Sequence, residues 1–369
     1  MGCAFRDRSF CPKPKPSSPV SDSALQILLL QIVLGLAGLV VAGYGLVSSA
    51  SELASRLGMS PIMIGLTIVA LGTSLPELLV SILDNLNPNT SGTLAIGNVV
   101  GSNIANIGLI LGLGSLIAAL PIQRRLLTRE YPAMLLVSVV LVAFSIDGTV
   151  MPWEGAILLA GLAIFMTYSI AFGRAHPEAV ESADDSDFWQ RFGRWGLTAV
   201  LVVLGFSLVG MPLSADALVN GAGGLARLFG ISELFIGLSI VAIGTSLPEL
   251  ATTLIAIRQG EREIAVGNLV GSNMLNILAI VGITSVVKPM PAPVSMLAFD
   301  YPIMLLSSAL PFLVVWWTGF QARRSVGIPL VCLYAVFCWS VVLNATGRWH
   351  WPPEGLPLFE ALARLADGI

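Results

Sequence analysis

The chain has 369 residues, of which 55% are apolar and only 11% charged, against about 25% charged in an ordinary soluble domain, and its mean hydropathy is +0.85. That is a membrane composition spread along the whole length, with room for roughly ten spans of about 20 residues and little soluble mass. Nineteen basic and 22 acidic residues leave a net charge of -3, so the basic excess that holds nucleic acid is missing and nucleic-acid binding is excluded.

In chain order, residues 1–23 carry Arg6, Arg8, Lys13 and Lys15 among prolines and serines, which reads as an N-terminal tail rather than a cleavable signal peptide. Apolar stretches follow at about 24–49, 61–83, 95–119, 131–148 and 153–173. After a polar connection at 174–195, five more run at about 196–222, 231–257, 264–287, 301–318 and 327–344, with a C-terminal tail at 345–369. Each stretch is long enough to cross a bilayer as a helix. The connection holds Glu178, Glu181, Asp184, Asp185 and Asp187; without the glycine and alternation of an EF-hand loop, it reads as a solvated acidic linker. Cys3 and Cys11 fall in the N-terminal tail, Cys332 and Cys338 in the last apolar stretch, and His176 and His350 in polar stretches. No pair has metal-site spacing, and no histidine serves as base or ligand at membrane depth.

The chain repeats itself. Gly65 to Leu78 reads GLTIVALGTSLPEL and Gly237 to Leu250 reads GLSIVAIGTSLPEL, identical at 12 of 14 positions with an offset of 172. Ile96 to Ile107 (IGNVVGSNIANI) and Val266 to Ile277 (VGNLVGSNMLNI) match at eight of 12 positions with an offset of 170. Each half therefore has five spans in the same order, and an odd number makes the second half enter the membrane from the opposite side. The expected fold is an all-α membrane protein of ten transmembrane helices in two inverted-topology five-helix repeats, residues 24–173 and 196–344.

Basic residues set the expected orientation, since cytoplasmic connections carry the excess of Lys and Arg. Connections on one side hold Arg56, Arg124, Arg125, Arg129, Arg174, Arg191, Arg194, Arg258, Arg262, Arg323 and Arg324; those on the other hold only Arg227 and Lys288. The first side is expected to be cytoplasmic, with the central linker inside and both termini outside. The basic residues of the two tails pull the other way and are outweighed by five agreeing connections.

Glu77 and Glu249 fall inside apolar stretches at matching positions of the two halves. A carboxylate at membrane depth costs several kcal/mol and marks an ion or substrate path; the alternative, a buried ion pair, lacks a basic partner in these spans. Pro76 and Pro248 remove a backbone donor just before each glutamate, which frees the carbonyls of Gly72 and Gly244 and loosens the helix. Thr73, Ser74, Thr245 and Ser246 add hydroxyls. Carboxylate, hydroxyl and carbonyl oxygen are hard donors, suited to Ca2+ and Na+ rather than zinc or copper. The second motif contributes Asn98, Ser102, Asn103 and Asn106, and Asn268, Ser272, Asn273 and Asn276. Ser102 with Asn106, and Ser272 with Asn276, are spaced i, i+4 on one helix face. Asn98, Asn103, Asn268 and Asn273 read equally as structural amides, and the Gly97-x-x-x-Gly101 and Gly267-x-x-x-Gly271 spacings as close-packing signals.

The paired GTSLPE and GNxxGSN segments resemble the two alpha-repeats of the calcium/cation antiporter superfamily, and most of all the microbial sodium/calcium exchangers; the likeness covers about residues 24–344. It implies four central helices, the second, third, seventh and eighth, around a cation site. The implied ligands are Glu77, Ser74, Thr73, Ser102 and Asn106 in the first half and Glu249, Ser246, Thr245, Ser272 and Asn276 in the second, with Ala70 and Ala242 contributing backbone carbonyls. Some relatives have aspartate where this chain has Asn276, and the linker is too short for the regulatory calcium-binding domains of animal exchangers.

The resulting expectation is a sodium/calcium antiporter in the cell (inner) membrane that works by alternating access, with Ca2+ and Na+ as transported ions, the lipid bilayer as partner and no prosthetic group. One chain holds a complete two-fold site, so a monomer suffices. If three Na+ replace one Ca2+, as the resemblance implies, the exchange is electrogenic, and Asn276 in place of aspartate favours K+ independence. Proton/calcium exchange is the alternative within transport. A cation channel or a membrane-embedded enzyme fits less well, because the site is complete in one chain and nothing at membrane depth supplies a catalytic histidine or aspartate dyad.

Overall fold

Apolar runs of this length satisfy their backbone groups internally only as helices, and the computed structural model is helical almost throughout; it describes residues 22–88, 91–175, 196–229, 242–317 and 321–345. The first half contains α1 (Asp22–Leu57), α2 (Pro61–Thr73), α3 (Leu75–Leu86), α4 (Thr93–Ile117), α5 (Leu126–Phe144) and α6 (Pro152–Ala175). The second contains α7 (Leu197–Leu228), α8 (Ala242–Thr245), α9 (Leu247–Arg258), α10 (Arg262–Val287), α11 (Asp300–Trp317) and α12 (Arg324–Ala345).

Among the described residues, eight continuous helices are long and apolar enough to span a membrane, and α2 with α3, bent by 43° at their junction, makes a ninth. The expected seventh span falls on α8 and α9, and its residues 231–241 lie outside the described residues. So do residues 1–21, 176–195 and 346–369, which hold most of the two tails and the acidic linker. Punctuation is local: α1 stops where Gly58 adopts φ +63, with the Met59 amide donating back to the Ala54 carbonyl at 2.9 Å. The first span runs on to Leu57, beyond its expected end near 49, and the third ends at Ile117, close to the expected 119, before Leu120 and Pro121 pair with Ala322 and Gln321.

Burial separates a core from its surroundings. In α10, 83% of the most apolar window is buried, and in α4 72%, against 11% in α1 and 22% in α7. α1 and α7 occupy corresponding places in the two halves and pack along each other. Gly35 and Gly38 of α1 approach Leu218 and Ser214, and Gly45 approaches Ser207, so the two helices run antiparallel, as inversion requires. Their outer faces carry exposed Val41, Phe206, Val209 and Leu213, apolar surface suited to lipid.

α2 of the first half instead lies against α10 of the second. A Cβ on Gly267 would sit 2.5 Å from the Ile62 carbonyl oxygen, and one on Gly271 2.5 Å from that of Leu66. This is the close approach that the GxxxG spacing permits.

Two short ladders stitch the ends. Leu120–Pro121 pairs antiparallel with Gln321–Ala322, and Thr149–Val150 with Met290–Pro291. At the first end Ser51 Oγ donates to Glu261 Oε1 at 2.8 Å, and Gln123 Nε2 to Glu263 Oε1 at 2.7 Å. At the second, Asn85 Nδ2 donates to the Lys288 carbonyl at 2.9 Å and Lys288 Nζ to the Asn85 carbonyl at 2.8 Å. The arginine-rich connections gather at the first end and Lys288 lies at the second. Burial pushes the Glu261 carboxyl above the usual carboxylate range; the Ser51 hydrogen bond opposes that, and repulsion from Glu263 adds to it.

Candidate cation site

The GTSLPE segments break their helices rather than merely loosening them. α2 ends at Thr73, Ser74 takes φ -88 and ψ 5, and α3 restarts at Leu75 with Pro76 and Glu77 in its first turn. In the second half α8 ends at Thr245, Ser246 takes φ -89 and ψ 5, and α9 begins with Leu247, Pro248 and Glu249. Proline suits a first turn, where its missing N–H would have no partner in any case. Each glutamate therefore sits at the positive end of a half-helix dipole, which favours a carboxylate. Discontinuous helices of this kind build ion sites at the midplane of transporters.

Ser74 and Ser246 stand where a serine would cap the new helix, yet neither makes a capping bond. Their hydroxyls cross to the other half instead. Ser74 Oγ donates to Glu249 Oε1 at 3.2 Å, and Ser246 Oγ donates to Ser102 Oγ at 3.4 Å. Ser272 Oγ also donates to Glu249 Oε1, at 3.4 Å. Thr73 Oγ1 lies 3.4 Å from Ser272 Oγ and donates to Asn268 Oδ1 at 3.2 Å; in the mirrored contact Thr245 Oγ1 donates to Asn98 Oδ1 at 3.4 Å. Glu77 lies beside Ser102 and within electrostatic reach of Glu249.

Glu77, Glu249, Ser74, Ser246, Thr73, Ser102, Ser272, Asn106 and Asn276 are all buried, so the structure gathers the candidate residues of both halves into one water-poor cluster. Ala70 is buried as well, but its carbonyl already receives the Ser74 amide at 3.1 Å and the Thr73 hydroxyl at 3.3 Å. Ala242, at the matching position, is helical and is the first described residue of α8.

Burying a carboxylate or amide oxygen without a partner costs free energy, so such atoms need a reason. Among the candidate residues five oxygens have no hydrogen-bond partner among the described residues, Glu77 Oε1 and Oε2, Glu249 Oε2, Asn106 Oδ1 and Asn276 Oδ1; beside them the Asn268 Nδ2 donor is unpartnered too. All five are acceptors only, and they come from both halves. Such a set of oxygens is able to hold a bare cation. The set contains oxygen alone, a hard donor; among the described residues no group of three His, Cys, Asp or Glu side chains is placed to hold a metal ion.

Asn98, Asn103, Asn268 and Asn273, which the sequence left open between ligand and scaffold, lie around this cluster and bond to its members. Asn98 Nδ2 donates to the Glu77 carbonyl and to Ser81 Oγ, both at 3.2 Å. Asn106 Nδ2 donates to Asn273 Oδ1 at 2.9 Å, and Asn276 Nδ2 to Asn103 Oδ1 at 3.0 Å. Directly after the motif, Asn106–Leu111 and Asn276–Val281 are π-helical, a feature frequent at functional sites and without a side-chain signature.

Known proteins share this architecture. The chain matches the sodium/calcium exchanger protein family model over residues 27–171 and again over residues 199–343. It is similar to the inner membrane protein YrbG of Escherichia coli K12, 38% identical over 309 residues that cover 82% of this chain and 94% of that one. The sodium/calcium exchanger MaX1 of Methanosarcina acetivorans is 32% identical over 345 residues, covering 85% of this chain and 98% of the relative. Among solved structures, the sodium-calcium exchanger NCX_Mj superposes with a TM-score of 0.73 at 28% identity, over 86% of this chain and 99% of the other.

Proposed function

The chain belongs to the sodium/calcium exchanger protein family, and on that premise we propose that it is a sodium/calcium antiporter of the cell membrane, a transporter and not an enzyme. Its cation site consists of Glu77, Glu249, Ser74, Ser246, Thr73, Thr245, Ser102, Ser272, Asn106 and Asn276, with the Ala70 and Ala242 carbonyls at its edge. The observation that carries the proposal is that five buried oxygens of the candidate residues, drawn from both halves, have no hydrogen-bond partner among the described residues. Two carboxylates balance one Ca2+, and the amide, hydroxyl and carbonyl oxygens complete its shell.

Na+, a hard cation of similar size, competes for the same oxygens, so each ion leaves only when the other replaces it. The two halves run in opposite directions through the bilayer, so tilting one part against the other opens the same site to alternate sides. Within this reading the exchange is electrogenic and independent of K+, the arginine-rich end is cytoplasmic, both termini are outside, and one chain suffices. The inner-membrane relative supports a bacterial-type cell membrane as the location.

The test is 45Ca2+ uptake into proteoliposomes under imposed Na+, K+ or H+ gradients. Uptake driven by an outward Na+ gradient alone is the expected result. Uptake driven by a proton gradient and indifferent to Na+ would replace the proposal with proton/calcium exchange.

A further inference from the structure

Where α4 and α10 meet, Asn103 and Asn273 form a crossed pair. Asn103 Nδ2 donates to the backbone carbonyl of Asn273 at 3.4 Å, and Asn273 Nδ2 donates to the backbone carbonyl of Asn103 at 3.3 Å. A backbone carbonyl only accepts, so each of these side chains must turn its NH2 group toward the opposite backbone. Its Oδ1 is then committed to the other direction, where the Asn276 and Asn106 amides lie. An acceptor there demands a donor, so Asn276 and Asn106 must present their Nδ2 atoms to the pair. Their own Oδ1 atoms are thereby turned the opposite way, where they are buried and without a partner among the described residues. The whole chain of orientation starts from two main-chain atoms, and all four side chains are buried.

The geometry points to Asn103 and Asn273 as positioning residues that aim the Asn276 and Asn106 carbonyl oxygens at the cation and hold the site at two formal negative charges. This rests on the proposed site. The second part follows from the same donor logic. A carboxylate at position 276 or 106 offers no N–H, so its oxygen would face Asn103 Oδ1 or Asn273 Oδ1, acceptor against acceptor in a buried setting. Those positions accept asparagine, or an aspartic acid that keeps its proton and donates its O–H, and oppose an ionised carboxylate for as long as the crossed pair keeps its arrangement. Site charge is thus set by two residues that do not themselves face the ion.

A double-mutant cycle tests this, with the Ca2+ concentration for half-maximal Na+-driven uptake and the melting temperature measured for Asn103→Leu, Asn276→Leu and the double variant. Each single change is expected to raise that Ca2+ concentration about tenfold, and the double change by about the same factor rather than a hundredfold, because Asn103 acts through Asn276. Multiplying effects, or a lower melting temperature for Asn103→Leu with unchanged Ca2+ dependence, would overturn the positioning role. An unchanged Ca2+ dependence in Asn276→Leu would instead remove Asn276 from the proposed site. A further variant, Asn276→Asp, is expected to weaken Ca2+ binding when Asn103 is retained. Asn276→Asp combined with Asn103→Ser, whose hydroxyl is able to donate, is expected to recover at least tenfold of that loss, and no recovery would refute the control of charge.

Discussion

Replacing Glu249 by glutamine probes the site at nearly a single atom. The amide has the same shape, and its oxygen still accepts from Ser74 and Ser272, which donate to Oε1 at 3.2 and 3.4 Å. The change falls on Oε2, buried and unpartnered among the described residues, which becomes an NH2 group facing the cation. At an effective dielectric constant near 20, two unit charges 4 Å apart interact by about 4 kcal/mol, and a divalent ion by about twice that. Much of this gross attraction is offset by hydration of the ion in water. If about a third survives, the loss is roughly 3 kcal/mol, or about 100-fold in affinity. Na+-driven 45Ca2+ uptake at subsaturating Ca2+ is therefore expected to fall about 100-fold or more, while the purified variant melts no lower than the unmodified protein, since a buried charge has been removed. Uptake within about threefold of the unmodified rate, roughly 0.7 kcal/mol, would refute the assignment of Glu249 as a charge-bearing ligand.

Glu77→Gln is expected to abolish exchange in the same assay, since both Glu77 carboxylate oxygens lack partners among the described residues and one of them must become a donor. Single cysteines at positions 88 and 149, in a background lacking the native four, are expected to react with an impermeant thiol reagent in intact cells, and those at 123 and 185 only after permeabilisation; the reverse pattern would invert the topology. Ca2+ flux is expected to persist without K+ and to respond to a potential clamped with valinomycin; an absolute K+ requirement would contradict a site with two carboxylates. Gly267→Ala places a Cβ 2.5 Å from the Ile62 carbonyl oxygen and is expected to cost about 1–3 kcal/mol, read as a lower melting temperature. The Glu261 carboxyl titrates above its unfolded value, so its contribution to stability is fully present below the unfolded pKa and is lost as pH rises through the folded one. Glu261→Gln is therefore expected to raise the melting temperature at pH 8 relative to the unmodified protein, with the gain vanishing near pH 4.

Glu77 and Glu249 are legible in the sequence because a charge inside an apolar run has no bland explanation once it occurs twice in the same motif. The hydroxyls beside them are legible because they recur in the same duplicated motif; the helix boundaries are legible only in part, since α1 runs on to Leu57 and α7 to Leu228, past the ends of their apolar stretches near 49 and 222. Asn98, Asn103, Asn268 and Asn273 are not. Whether Asn103 ligates or orients depends on which atom of its amide meets which neighbour, and that is decided by the crossing of α4 and α10, a contact between residues 170 apart in sequence. The break at Ser74 is half legible: Pro76 signals a disturbed helix, but only the geometry distinguishes a kink from a new helix with Glu77 in its first turn. The π-helical turns after Asn106 and Asn276 leave no mark in the residues at all.

The packing of α2 against α10 has a consequence for biosynthesis. Gly65 of α2 fits against Ile264 and Asn268, and Thr73 donates to Asn268, so α2 completes its surroundings only with residues made about 200 positions later. At a synthesis rate of about 5–20 residues per second, that interval lasts roughly ten seconds or more. Throughout it, the first half is inserted with Glu77 and Thr73 at membrane depth and without the partners that later enclose them. The surroundings of α2 are therefore complete only once α10 has been made and packed against it. Synthesis of the second half is then the point at which a ribosome stall, or a shortage of insertion factors, exposes this protein to membrane quality control.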